Sequence, residues 1–276
     1  MEPINISNEV FTAASGRKSL IDLEIPENFN NKLILFVHGY MGYKDWGCWN
    51  LMQSFFVSQG YGFCKYSISH NGGTIEQPID FHDLEAFAQN NYSKEVEDLQ
   101  CALNWIEGKF STLPEIYLVG HSRGGGIALL SAGDSRIKRI VTLAAIDSIE
   151  KRFPTGKQLE VWRTQGTRYT FNSRTNQKMP NLFAQYEDFD AHREQLDIEK
   201  ACLKSTKPTL VIHGDMDTSV EIEEGRNIAK WLKTRLFEIE EGEHTFGASQ
   251  PWLEKEMPEH LQKACALMMG FFDINY

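Results

Sequence analysis

Ile116-Tyr117-Leu118-Val119-Gly120-His121-Ser122-Arg123-Gly124-Gly125-Gly126-Ile127-Ala128-Leu129-Leu130 decides how the rest of the chain is read. An apolar run of strand character leads into Gly-His-Ser-Arg-Gly, and small and apolar residues of helical character follow. G-x-S-x-G between a strand and a helix marks a turn sharp enough to lift a serine hydroxyl clear of a sheet edge. Gly120 and Gly124 stand where a Cβ would collide with neighbouring backbone. The first amides of the helix, Arg123 among them, face the space beside the Ser122 hydroxyl and favour developing negative charge there. So short a pattern also arises by chance, so its meaning depends on partners elsewhere.

The flanking segments supply candidates in a definite order. Leu33–Val37 is a continuous apolar run, suited to a strand covered on both faces, and it ends in His38-Gly39-Tyr40-Met41-Gly42. Ile137 to Ala144 reads as another buried strand. Pro208 to Ile212 reads as a later one, ending in His213-Gly214-Asp215-Met216-Asp217. Thr234 to Ile239 then precedes the loop Glu241-Gly242-Glu243-His244-Thr245-Phe246-Gly247. Strands alternating with helical stretches predict a mostly parallel sheet with helices on both faces. A serine after a mid-chain strand, an acid after a late strand and a histidine in the last loop form one ordered set.

Gly-His-Ser-Arg-Gly-Gly, His-Gly-Asp-x-Asp and Glu-His-Thr-Phe, in this order, resemble the α/β-hydrolase superfamily over nearly the whole chain. Within it they are similar to the dienelactone-hydrolase-like and serine-aminopeptidase-like esterase branches. The resemblance implies a Ser122 nucleophile, a His244 general base and an Asp217 that orients and stabilises the imidazole. It implies an oxyanion hole from the backbone N–H groups of Tyr40 and Arg123. Neither a metal nor a cofactor is implied. Asp215, directly after Gly214, competes with Asp217; it is expected to brace the loop by capping amides, whereas Asp217 fits the family's acid. His121 and His38 compete with His244 but are expected to be buried bracing groups. The Arg123 side chain is expected either on a buried carboxylate or facing an acidic substrate.

Outside these motifs the reading is coarser. Glu9–Ala13 and Leu20–Ile25 suggest an edge hairpin, Trp46 to Gln59 a helix, and Gly62 to Ile68 a strand. A long loop is expected to Asn91, then a helix capped by Ser93 and ending near Gly108, and a last helix from Pro258. From Ala145 to Thr206 the alternation breaks into an aromatic, charged stretch with weak helical period near Gln158–Thr164. This stretch is expected to be a small lid over the carboxyl edge of the sheet, within one domain spanning residues 1–276.

At 276 residues and 41% hydrophobic content the chain can build one large α/β core. A net charge of −10 argues against nucleic acid or an anionic membrane as the main partner. No apolar run approaches the roughly 20 residues of a membrane span, and Met1–Leu20 lacks an export signal, so a soluble cytoplasmic protein is expected. The five cysteines show no C-x-x-C spacing and read as reduced thiols. His70, His82 and Asp83 lack metal-ligand spacing. The leading expectation is a serine hydrolase of esters or related small acyl compounds. An aminopeptidase-like peptidase and a non-catalytic small-molecule receptor on the same scaffold are the alternatives.

Overall fold

The computed structural model describes residues 2–274. The chain opens with β1 (Ile4–Thr12) and β2 (Lys18–Ile25), an antiparallel hairpin at the edge of the main sheet. Then come β3 (Lys32–Val37), α1 (Trp49–Ser58), β4 (Gly62–Tyr66), a short α2 (Leu84–Ala88) and α3 (Tyr92–Glu107). The elbow follows as β5 (Glu115–His121) and α4 (Arg123–Leu130), then β6 (Ile137–Leu143). The next stretch holds α5 (Gly156–Gln165), a separate antiparallel hairpin of β7 (Thr167–Asn172) and β8 (Gln177–Leu182), α6 (Ala184–Ala191) and α7 (Ile198–Lys204). The chain closes with β9 (Thr209–Gly214), α8 (Ile222–Leu232), β10 (Leu236–Ile239) and α9 (Glu259–Asp273).

Eight strands form one sheet in the order β1-β2-β4-β3-β5-β6-β9-β10, parallel from β4 onward. Because those six strands run the same way, the loops after β3, β5, β6, β9 and β10 all emerge at one edge. That shared edge lets residues 40, 122, 217 and 244 meet.

The central strands read as unbroken apolar runs because both of their faces are covered. Leu33, Leu35 and Val37 alternate with Ile34 and Phe36, and the two sets enter different cores. One core packs α3, α4, α7 and α8 against the sheet, the other α1 and α9. Burying a large side chain in this way contributes roughly 1.5–3 kcal/mol. Among the described residues no helix is long and apolar enough to cross a membrane. All five cysteines are free thiols, four of them buried.

Three local expectations are corrected. The first helix starts at Trp49, three residues later than its apolar pattern suggested. Asn91, not Ser93, caps α3: its side chain accepts from the Lys94 amide at 2.9 Å, while Ser93 Oγ donates to Asp188. Asn91 is extended (φ −152°, ψ 170°), as an N-cap is, so the helix begins at Tyr92. The expected loop before Asn91 contains α2, started by Asp83 accepting from the Ala86 amide.

The stretch 145–206 contains a hairpin that its composition did not announce. Tyr169 and Phe171 of β7 point outward, 63% and 60% exposed, so the usual inward apolar alternation is missing. The hairpin is held from its other side: Arg174 pairs with Asp80 at 2.5 Å and Gln177 donates to the Phe81 carbonyl. Met179 packs with Phe81 and Phe87 in a small separate core that Tyr40 and Met41 border. The last helix of the stretch, α7, packs on α4 and α8 and places Ile198 and Cys202 in the main core.

Candidate active site

The turn between β5 and α4 is as tight as its glycines require. A Cβ on Gly120 would lie 2.3 Å from the Gly124 carbonyl oxygen, and one on Gly124 would lie 2.3 Å from that of Val37. Ser122 adopts φ 56° and ψ −120°, strained for a residue with a side chain and held by the packing around it. Its own amide donates to the Leu143 carbonyl of β6, which ties the turn to the next strand.

Around Ser122 the structure assembles a line of hydrogen bonds. Ser122 Oγ lies 3.0 Å from His244 Nε2, and His244 Nδ1 lies 2.7 Å from Asp217 Oδ2. A carboxylate accepts only, so Nδ1 carries the proton and Nε2 is left to accept from the serine hydroxyl. The side chain of Asp217 is wholly buried. Its Oδ1 accepts from the amides of Ser219 and Val220 at 2.8 and 2.9 Å. Burial alone would raise its pKa; the hydrogen bonds from His213 and His244 outweigh that and hold it well below the usual carboxylate range.

Asp215 is exposed, and the loop-bracing expected of it falls to Asp217 Oδ1 instead. The sequence reading also passed over His213, which is fully buried. Its Nε2 donates to the Val220 carbonyl at 2.9 Å and lies 3.3 Å from Asp217 Oδ2. The signal was its place at the end of β9, one turn before the acid.

His38 and His121 brace the site without reaching the serine hydroxyl. His38 Nδ1 donates to the Gly39 carbonyl and Nε2 accepts from the Ile68 amide; burial pushes its pKa down to about 4. His121 Nε2 donates to the main-chain carbonyl of His244 at 2.9 Å, and burial with the neighbouring His244 pushes it down to about 3. The turn after β3 presses on the serine: a Cβ on Gly39 would sit 2.9 Å from Ser122 Cβ. That contact brings the turn of Tyr40 beside the elbow, and Tyr40 and Arg123 both border the cavity at Ser122.

The Arg123 side chain is anchored. Its guanidinium lies 3.0 Å from Glu95 Oε1, between the rings of Tyr40 and Tyr92 at 4.3 and 4.4 Å. Of the two expectations for it, the buried carboxylate is the one observed.

Two cavities meet at Ser122 and His244. The smaller, about 260 Å³, is bordered by Met41, Trp46 and Trp49. The larger, about 490 Å³, has Arg168, Thr170 and Asn181 of the β7–β8 hairpin in its wall. Among the described residues no group of three or more His, Cys, Asp or Glu is arranged to hold a metal ion.

Comparison with known proteins agrees with this architecture. A search of curated protein sequences finds no match. Among solved structures, Est1E from Butyrivibrio proteoclasticus, with ferulic acid bound, superposes with a TM-score of 0.72 at 19% identity, covering 96% of this chain and 98% of that one. The Pyrococcus furiosus esterase Pf2001 gives 0.64 at 14% identity, covering 98% and 91%. An acylaminoacyl peptidase from Pyrococcus horikoshii gives 0.63 at 16%, covering 99% of this chain but 41% of its own length. At these identities the likeness is one of fold. The model of the alpha/beta hydrolase fold family matches residues 32–176, from β3 through the elbow to the turn of the β7–β8 hairpin. Strand order, elbow and family match agree, and the chain belongs to the alpha/beta hydrolase fold family.

Proposed function

We propose that the protein is a serine hydrolase of carboxylic esters or related small acyl compounds. The observation that carries this reading is the hydrogen-bonded line from Asp217 through His244 to a serine on a strained elbow. In the proposed reaction His244 Nε2 takes the Ser122 proton as Oγ attacks the acyl carbon. The amides of Tyr40 and Arg123 hold the resulting oxyanion. The imidazolium, stabilised by Asp217, then protonates the leaving alcohol, and the acyl group remains on Ser122. Water, deprotonated by His244, attacks that acyl-enzyme, and the acid leaves as the serine is reprotonated. The stretch 145–206 is proposed as the lid, its β7–β8 hairpin forming part of the substrate wall.

Two unlike cavities flanking the serine suit a substrate with two unlike halves, one of them apolar. The deciding experiment is turnover of a 4-nitrophenyl ester series, acetate to decanoate, by wild type and Ser122→Ala. Hydrolysis should be lost in the variant by about 10³-fold or more, and the optimum chain length should measure the acyl cavity. Well-folded wild-type protein that neither turns over any ester nor reacts with an organophosphonate would overturn the reading.

A further inference from the structure

Among the described residues, the larger cavity beside Ser122 is lined by four cationic side chains, Arg123, Lys151, Arg152 and Arg168, and by no aspartate or glutamate. That is unexpected on a chain with a net charge of −10. Three of the four are neutralised from behind the wall. Arg123 is held by Glu95 at 3.0 Å, Lys151 by Asp147 at 2.7 Å, and Arg152 by Glu224.

Arg168 differs from the other three. Among the described residues no carboxylate pairs with it, which is what sets it apart; its Nη2 donates to the Arg152 carbonyl at 3.1 Å, and its Nε, like that of Arg152, is buried without an acceptor. Its guanidinium lies 4.4 Å over the ring of Trp162, whose own Nε1 donates to the Asn181 carbonyl at 2.9 Å. The indole is therefore fixed, and it presents the guanidinium as a preset flat fork. Burial lowers the pKa of Arg168, and the charge of Arg123 adds to that. A guanidinium does not lose its proton under working conditions, so it stays a half-buried cation with donors unspent. Such a group has hydrogen-bond donors to offer an anion that enters the cavity.

We propose that Arg168 binds a carboxylate on the substrate, making this an esterase for half-anionic esters. A single unmatched cation matches a single negative charge, and its planar donors suit a carboxylate bidentately. This inference rests on the serine-hydrolase reading and adds the substrate class to it.

Two anionic esters place the charge on different halves: mono-4-nitrophenyl glutarate on the acyl side, 4-acetoxybutanoate on the alcohol side. Their neutral isosteres are 4-nitrophenyl 5-methylhexanoate and 4-methylpentyl acetate. Wild type should prefer one anionic ester to its isostere. Arg168→Gln should cut that preference, measured as the ratio of kcat/KM values, by about 10- to 100-fold, and Arg168→Lys should restore part of it. Which ester responds identifies the half. The absence of an anionic preference in wild type, or the same ratio in Arg168→Gln, overturns the proposal. Should no ester be turned over, calorimetry of glutarate and 4-hydroxybutanoate against Ser122→Ala separates the two questions. Binding that Arg168→Gln abolishes keeps the carboxylate site and removes the hydrolase; no binding of either removes both.

Discussion

Each oxygen of Asp217 has its own task, and no neutral residue can perform both. Oδ1 accepts from two loop amides; Oδ2 accepts from His244 Nδ1 and lies within reach of His213 Nε2. An asparagine in its place must turn an NH₂ group toward one of those two sets of donors. Facing the loop it would break the bracing; facing His244 it would force the imidazole proton onto Nε2, where it no longer accepts from Ser122. Asp217→Asn is therefore expected to lower kcat on a 4-nitrophenyl ester by about 10³–10⁴-fold. A kcat within tenfold of wild type in a folded variant would return the acid role to Asp215 or remove it altogether. Sequence spacing brought both aspartates forward and favoured Asp217 as the acid, but it gave the bracing to Asp215, because spacing does not show which carboxylate turns inward. Glu95 was less accessible still. It lies 28 positions before Arg123 on another helix, and only the packing of α3 against α4 brings the two together. Arg168 was hidden for a related reason: what distinguishes it is the lack of a carboxylate partner among the described residues, which a sequence does not display.

The elbow is an element in which three pieces of backbone cross at contact distance. A Cβ on Gly124 would meet the carbonyl oxygens of Val37 and His38 at 2.3 and 2.4 Å, so α4 lies directly on the end of β3. Those atoms are main chain at the end of β3, where Val37 pairs with Gly120 of β5, and cannot turn aside as a side chain would. Gly124→Ala is thus expected to destabilise the protein by about 3 kcal/mol or more. Gly133→Ala, with nothing within 4 Å of its added methyl, should change stability by less than about 0.5 kcal/mol. Thermal melts of the two variants beside wild type test the contrast; equal melting temperatures would mean that strand and helix can part without cost. The same crossing explains why this element was legible in the sequence. Its glycines, the apolar runs around them and the serine between them are all local consequences of one close approach. The β7–β8 hairpin leaves no such trace. Its strand β7 turns Tyr169 and Phe171 outward while β8 puts Met179 into a small core with Phe81 and Phe87, so no alternating apolar pattern runs through the pair.

At the scale of the whole molecule, buried titratable groups make stability depend on acidity. His38, His70 and His121 are held neutral in the fold, chiefly by burial, with pKa values pushed down to about 4, 4 and 3. In the unfolded chain each takes a proton near its ordinary value of 6.5. Their contribution is therefore complete above pH 6.5 and is lost as pH falls toward the folded values, by about 1.4 kcal/mol per pH unit for each. Asp98 acts in the opposite sense. Burial outweighs its bonds from the Ser69 and Ala14 amides and raises its pKa to about 7, so it favours the fold below 3.8 and loses that contribution as pH rises through 7. Between these limits three protons oppose the fold and one supports it, a net of about two. The urea midpoint should therefore drop steadily from about pH 6.5 to about pH 4.5. His38 offers the sharpest test, because its Nδ1 already donates to Gly39 and its Nε2 already accepts from Ile68. A second proton would turn that acceptor into a donor facing an N–H. His38→Gln, whatever its effect on absolute stability, should reduce the slope by about one proton. An unchanged slope would mean that His38 finds a proton inside the fold by rearranging the loop after β3. That loop carries Tyr40, so the rearrangement would also appear as a loss of ester turnover over the same pH range.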